Sequence, residues 1–169
     1  SERGPIAERP LSDAVIVDMA TGSSRVAFDI SEYYGNRDGR ELRRGRTYVL
    51  DWSRDGKYLL LLAQTNDRRN TGRNGPGWKK ELLLVPVDGG DPDVLVNYDS
   101  QVGIVTTRGC LDGEGTYAFI EYQGMNQAQT GIHRINIQTG EVEPWRSSPR
   151  QAHSLWACTW ESGQVLYSV

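Results

Sequence analysis

The sequence predicts an all-β fold built from four-stranded antiparallel blades of the propeller type, about three blades' worth. Three observations predict it. Short apolar, β-favouring runs alternate with glycine-containing polar turns along most of the 169 residues. Two kinds of hairpin recur in alternation. The recurrence falls roughly every 50 residues, the period of a four-stranded blade that must stack on its neighbours to bury its faces.

The first kind, AB, is plainest in Thr47 to Ala63, TYVLDWSRDGKYLLLLA. Two apolar strands flank Ser53-Arg54-Asp55-Gly56, where Gly56 permits positive φ and Asp55 can bond its own backbone. Residues Leu111 to Tyr117 align without a gap with Trp52 to Tyr58, and Trp160 to Val165 is a third, shorter copy. The alignment predicts that Trp52, Leu111 and Trp160 fill equivalent buried positions. The second kind, CD, is an apolar strand, a small or polar turn and a closing glycine. It occurs at Ala14 to Gly22, Leu82 to Gly90 and Ile132 to Gly140. The chain then reads CD, AB-CD, AB-CD, AB.

In order, residues 1–12 carry two prolines and alternating charge and read as an extended arm. A CD half-blade spans 13–28. A long link, 29–46, holds Tyr33, Tyr34 and the basic residues Arg37, Arg40, Arg43, Arg44 and Arg46. It reads either as a solvated loop or as a contact patch for an acidic protein or anionic lipid surface. A blade spans 47–97, and inside it Gln64 to Lys80 is far longer than the 2–5 residues usual in a hairpin loop. That insertion contributes Arg68, Arg69, Arg73 and Trp78. Trp78 reads as an interface anchor or as the first apolar residue of the next strand. A second blade spans 101–145 and an AB half-blade 152–169.

The residues WSRDGKYLL followed by ELLLVPVDGGDP resemble the blade motif of TolB-type propellers, which also occurs in the propeller domains of prolyl-oligopeptidase-type peptidases. The resemblance covers most of residues 13–169 and is strongest in the middle blade. It implies a bacterial setting, periplasmic or otherwise extracytoplasmic, and membership of a larger assembly. Propellers host many activities, so it specifies fold better than function.

Composition narrows the chemistry. The net charge of −3 makes no case for nucleic acid. Only three of 19 basic residues are lysines, which reads first as a genomic bias. No apolar run reaches the roughly 18 residues of a membrane span. The chain opens at Ser1 rather than Met, as in a processed protein or a piece of a longer one, so a missing leader says nothing against export. Cys110 and Cys158 have no C-x-x-C partner and read as two separate thiols in strands; a disulfide would need Cα atoms within about 7 Å. His133 aligns with Leu83 and reads as a strand residue. Asp55, Asp88 and Asp112 read as turn residues, and Asp88 to Asp93 as a solvated turn rather than a calcium loop.

No G-x-S-x-G elbow, H-E-x-x-H, P-loop or G-x-G-x-x-G occurs. The reading is therefore a non-enzymatic protein-binding or scaffolding subunit, with no catalytic residue, metal or cofactor. Its partners would be other proteins, including a membrane-associated complex or a second copy of the chain. The alternative is a fragment of the substrate-gating propeller of a serine peptidase whose catalytic domain lies elsewhere. Two blades and two halves are too few for a closed ring, which needs about four to eight. The chain is thus expected in a longer polypeptide, a dimer or a larger complex.

Overall fold

Turn chemistry sets the strand boundaries. At the first AB turn Gly56 adopts φ 75°, its N–H donates to the Ser53 carbonyl at 2.9 Å, and the Ser53 hydroxyl accepts from the Tyr58 N–H at 2.9 Å. At the second, Gly115 adopts φ 69° and the Asp112 carboxylate takes the hydroxyl's role, accepting from Tyr117 N–H at 3.1 Å. The CD turns at Gly22 and Gly140 share this left-handed backbone, at φ 72° and 69°. Such conformations suit glycine because an added Cβ would be strained.

In this computed structural model the described residues are 12–38, 45–67, 77–99, 103–124, 131–147, 154–158 and 165–168. Strands β1 (Ala14–Val17) and β2 (Ser24–Phe28) form a hairpin, followed by helix α1 (Ile30–Asp38). Strands β3 (Gly45–Trp52), β4 (Tyr58–Asp67), β5 (Gly77–Pro86) and β6 (Asp93–Asp99) form one antiparallel sheet in chain order. Strands β7 (Gly103–Leu111), β8 (Tyr117–Gly124), β9 (Gly131–Asn136) and β10 (Val142–Ser147) form a second in the same way. Strands β11 (Ser154–Cys158) and β12 (Val165–Ser168) form a last hairpin. The architecture is all-β with blade-like sheets, and among the described residues none closes on itself.

Stacking explains the continuous apolar run of β4. Leu60 and Leu62, with Leu82, Leu84 and Leu95, face the second sheet and meet Leu111, Ala118, Ile120, Tyr122 and Ile135. Leu59, Leu61 and Ala63, with Leu83 and Val85, face the other way, onto Ala14, Phe28, Ile30 and Tyr34. A strand covered on both faces loses the polar half of its alternation. Each such leucine contributes roughly 1.5–3 kcal/mol of burial. The far face of the second sheet buries Cys110, Phe119 and Ile132, with Trp145 and Cys158 packed against them. Where β3 meets β7, Gly109 is required: a Cβ there would lie 3.0 Å from both Leu50 Cδ1 and the Phe119 carbonyl oxygen.

Five expectations need correction. The link 29–46 is not a loop over its first half, because Asp29 caps a helix whose Ile30 and Tyr34 enter the core. The insertion 64–80 is shorter than it reads, because β4 and β5 stay paired out to Asp67 and Gly77. Trp52 is not a core residue and keeps 37% of its surface exposed, whereas Leu111 keeps 1%. Leu111 lies between two four-stranded sheets; Trp52 shares the face of its partner Leu59, which looks onto a two-stranded hairpin and one helix. Nor does Trp160 share that repeat position. The pairs Trp52–Leu59, Leu111–Ala118 and Cys158–Val165 put Cys158 there, two residues earlier, and Trp160 lies outside the described residues.

Finally, Cys110 and Cys158 are not separate thiols but a disulfide, with Cα atoms 5.6 Å apart. Their strands are 48 residues apart in sequence and become neighbours only when β11 stacks beside β7.

Candidate functional site

Two rims of the stacked sheets can be distinguished by the strand ends they carry. At one rim β3 begins and β4 ends, paired as Gly45–Thr65, and β4 ends against the start of β5, paired as Asp67–Gly77. The end of β6 joins them through Lys79–Asp99. The segments 39–44 and 68–76 therefore leave from neighbouring strand ends, although they are separated in sequence. Helix α1 reaches the same end of the sheet through Tyr34, whose hydroxyl bonds Glu81, two residues from Lys79.

The helix is held from both ends of its first turns. Asp29 accepts from the backbone N–H groups of Ser31 and Glu32 and from the Ser31 hydroxyl, at 2.8, 2.9 and 2.7 Å. The Glu32 N–H, followed by the Ser31 hydroxyl, holds the Asp29 carboxyl below the usual carboxylate range. Inside, the Tyr34 hydroxyl donates to Glu81 Oε2 at 2.5 Å, and Lys79 Nζ lies 3.0 Å from Glu81 Oε1. Glu81 is fully buried, so these partners are what make its presence in the core tolerable. Lys79 also sits 5.8 Å from the Tyr34 ring centre. Tyr33 packs between Phe28 and Tyr34, at ring separations of 5.3 and 4.9 Å.

The candidate contact residues divide accordingly. Tyr34 is an internal anchor rather than a contact residue, buried because its hydroxyl finds Glu81. Tyr33 is half-buried and borders an open groove of about 660 Å³ with Phe28, Glu32, Val85, Asp91 and Pro92. Arg37 lies in α1 and Trp78 in β5, opposite Asn66; only their backbone is described. Arg40, Arg43, Arg44, Arg68, Arg69 and Arg73 lie outside the described residues.

The opposite rim carries the AB and CD turns, and between the two large sheets it opens into a groove of about 1080 Å³. Leu84, Leu95, Leu111 and Ile137 line it beneath Ser53, Asp55, Glu114 and Thr139. The Ser53 hydroxyl, then the Lys57 N–H, lower the Asp55 carboxyl from its ordinary value. Asp55 and Asp112 serve their own turns, as expected. Sequence reasoning missed this groove; each wall joins the turns and strand ends of one sheet, and only stacking puts the walls opposite each other.

His133 is a strand residue of β9, stacked on Tyr122 at 4.5 Å, and burial lowers its pKa. Tyr122 stacks in turn on Tyr98 at 6.0 Å. Among the described residues no three His, Cys, Asp or Glu side chains gather as a metal group, and no helix is long and apolar enough to cross a membrane.

No family model and no curated protein sequence matches the chain. Among solved structures, a TolB candidate from Agrobacterium tumefaciens is similar over 90% of this chain and 63% of that one, at 15% identity and a TM-score of 0.35. The chain thus spans less than two thirds of that structure's length. The blade assignment rests on the strand order and repeated register described above.

Proposed function

We propose that the chain is a non-enzymatic protein-binding or scaffolding module of a larger extracytoplasmic assembly, and that it docks an acidic protein partner on the rim where α1 ends. The observation that carries this reading is the register of β3, β4 and β5, which brings the flanks of two arginine-bearing segments to one edge. Arg37, Arg40, Arg43 and Arg44 belong to the first, and Arg68, Arg69 and Arg73 to the second. Like charges gathered at one rim steer an oppositely charged partner and set its orientation. The Tyr34–Glu81 anchor supports the same reading, because it ties the first segment to the sheet that carries the second. A disulfide between neighbouring sheets supports an oxidising compartment such as the periplasm.

The test is affinity recovery of partners from the native source, identified by mass spectrometry. Charge reversal at Arg40, Arg43 and Arg44, or deletion of 68–76, is expected to abolish recovery while leaving the melting midpoint in place. Substitutions in the opposite groove, such as Glu114→Gln, should retain it. Recovery unchanged by both rim variants would overturn the proposal.

A further inference from the structure

The two rims of the stack differ in charge. Arginine-bearing segments leave the first. The turns at the opposite rim, residues 18–24, 53–58, 87–93, 112–116 and 136–142, hold one, one, three, two and one carboxylates, against Arg54 and Lys57 as their only cations. The groove of about 1080 Å³ opens on that acidic rim. Both its walls come from four-stranded sheets and need no further strand to form. Two contacts pin the walls together. Asp51 Oδ2 accepts from the Leu111 N–H at 2.8 Å, and the turn at Gly140 lies so close to β6 that an added Cβ would be 3.2 Å from the Leu95 carbonyl oxygen. A groove held in this way is preformed, which lowers the ordering cost when a ligand enters. Half-buried Tyr58, Val94 and Ile137 give it an apolar surface, over the buried Leu84, Leu95 and Leu111. Exposed Asp55 and Asp93 stand on one wall and exposed Glu114 on the other, and among the described residues Arg54 is the one cation of the lining. Lys57 answers Asp55 at 3.4 Å, and the balance remains negative.

We propose that this groove docks a short segment of a partner protein in which lysine or arginine flanks an apolar side chain. The apolar side chain lies against Tyr58, Val94 and Ile137. Its flanking cations meet Asp93 on one wall and Glu114 on the other. Charge selects the occupant: an acidic segment, which suits the arginine-bearing rim, is repelled here. An interface made by one short segment is of the small, transient kind, so it does not enter the recovery experiment on the other rim. This inference concerns the turn rim and is independent of the arginine-bearing rim.

The test pans a phage library of random peptides against the whole chain, since multivalent display captures weak binders. Peptides with lysine or arginine on both sides of an apolar residue are expected to be enriched. Asp93→Asn with Glu114→Gln, both at exposed positions, should weaken their binding about fivefold and leave the melting midpoint in place. Asp18→Asn with Asp88→Asn removes the same charge from turns outside the groove and should leave binding unchanged. Charge reversal at Arg40, Arg43 and Arg44 should not weaken it. With a photoreactive group at the apolar position, the selected peptide should cross-link to Tyr58, Val94 or Ile137. Enrichment of acidic peptides alone, equal weakening by the two carboxylate pairs, or cross-links confined to other residues would overturn the proposal. So would self-association of the unsubstituted chain that the Asp93→Asn/Glu114→Gln pair abolishes, because the groove would then belong to the arginine-bearing segments of a second copy.

Discussion

Two of the junctions between successive sheets use the same repeat position but different chemistry. At the first, Asp51 reaches from β3 to β7: its Oδ2 accepts from the Leu111 N–H at 2.8 Å, while its Oδ1 accepts from the Trp52 N–H at 2.8 Å. At the second, Cys110 replaces Asp51 and Cys158 replaces Leu111, and the link is a disulfide. The surroundings account for the difference. The first junction joins two four-stranded sheets across a broad leucine-rich core. The second attaches a two-stranded hairpin to a small cluster of Cys110, Phe119 and Ile132. An isolated hairpin is marginal in water, so a covalent clip does there what packing does at the first junction. A repeat therefore conserves where neighbouring sheets touch, and the extent of cover decides how strong the touch has to be.

That contrast can be broken at its largest effect first. Leu111 and Trp52 share a repeat position, but only Leu111 is covered from both sides. Leu111→Ala should cost about 2–5 kcal/mol, whereas Trp52→Ala should cost under about 1 kcal/mol, as surface changes do. Denaturant midpoints at constant slope read both, and equal losses would show that cover does not distinguish the two copies of this position.

Removing the clip is the next largest change. Cys110→Ser with Cys158→Ser should lower stability by about 2–4 kcal/mol. Amide exchange should quicken in β11 and β12 and stay slow in β4 and β5. Uniform quickening would mean that the disulfide supports the whole stack rather than its last hairpin.

Asp51→Ala removes a charge-assisted acceptor from the Leu111 N–H and should cost about 1–3 kcal/mol. An engineered Asp51→Cys/Leu111→Cys pair should form a disulfide, detected by mass, because the homologous positions at the second junction already satisfy disulfide geometry. Failure to form that bond would show that the junctions are not geometrically equivalent.

The smallest effect separates the two large sheets by pH. The first sheet has Leu83 where the second has His133, whose pKa burial lowers below its ordinary 6.5. The unfolded chain then binds more protons than the folded one as pH falls through about 6.5, so stability is full above that value and declines below it. His133→Leu should remove this part of the acid sensitivity in urea melts taken between pH 7 and pH 5. An unchanged profile would assign the sensitivity to other groups.

Both large blades were legible in the sequence because their signals are local. Asp-Gly and Glu-Gly turns recur at matched offsets from apolar strands, and hairpin pairing depends on residues a few positions apart. Much of the candidate rim was legible too, as two unusually long arginine-bearing segments; that their flanks meet follows from strand register. The helix was not, because Ile30 to Asp38 lacks a clear apolar face and its burial depends on Glu81, 47 residues beyond Tyr34. The large groove was missed because its two walls belong to different blades.

By itself the sequence determined the strands, the turns and the alternation of AB and CD hairpins, since backbone conformation at Gly56 or Gly115 answers to neighbours within reach of one turn. Only the tertiary structure decided which copies of a repeat position are buried, that Cys110 meets Cys158, and that a tyrosine in an apparent linker pairs with a buried glutamate. Those outcomes depend on which sheet stacks against which face. Stacking brings together Tyr34 and Glu81, 47 positions apart, and Cys110 and Cys158, 48 apart, a range over which turn chemistry and strand periodicity carry no information.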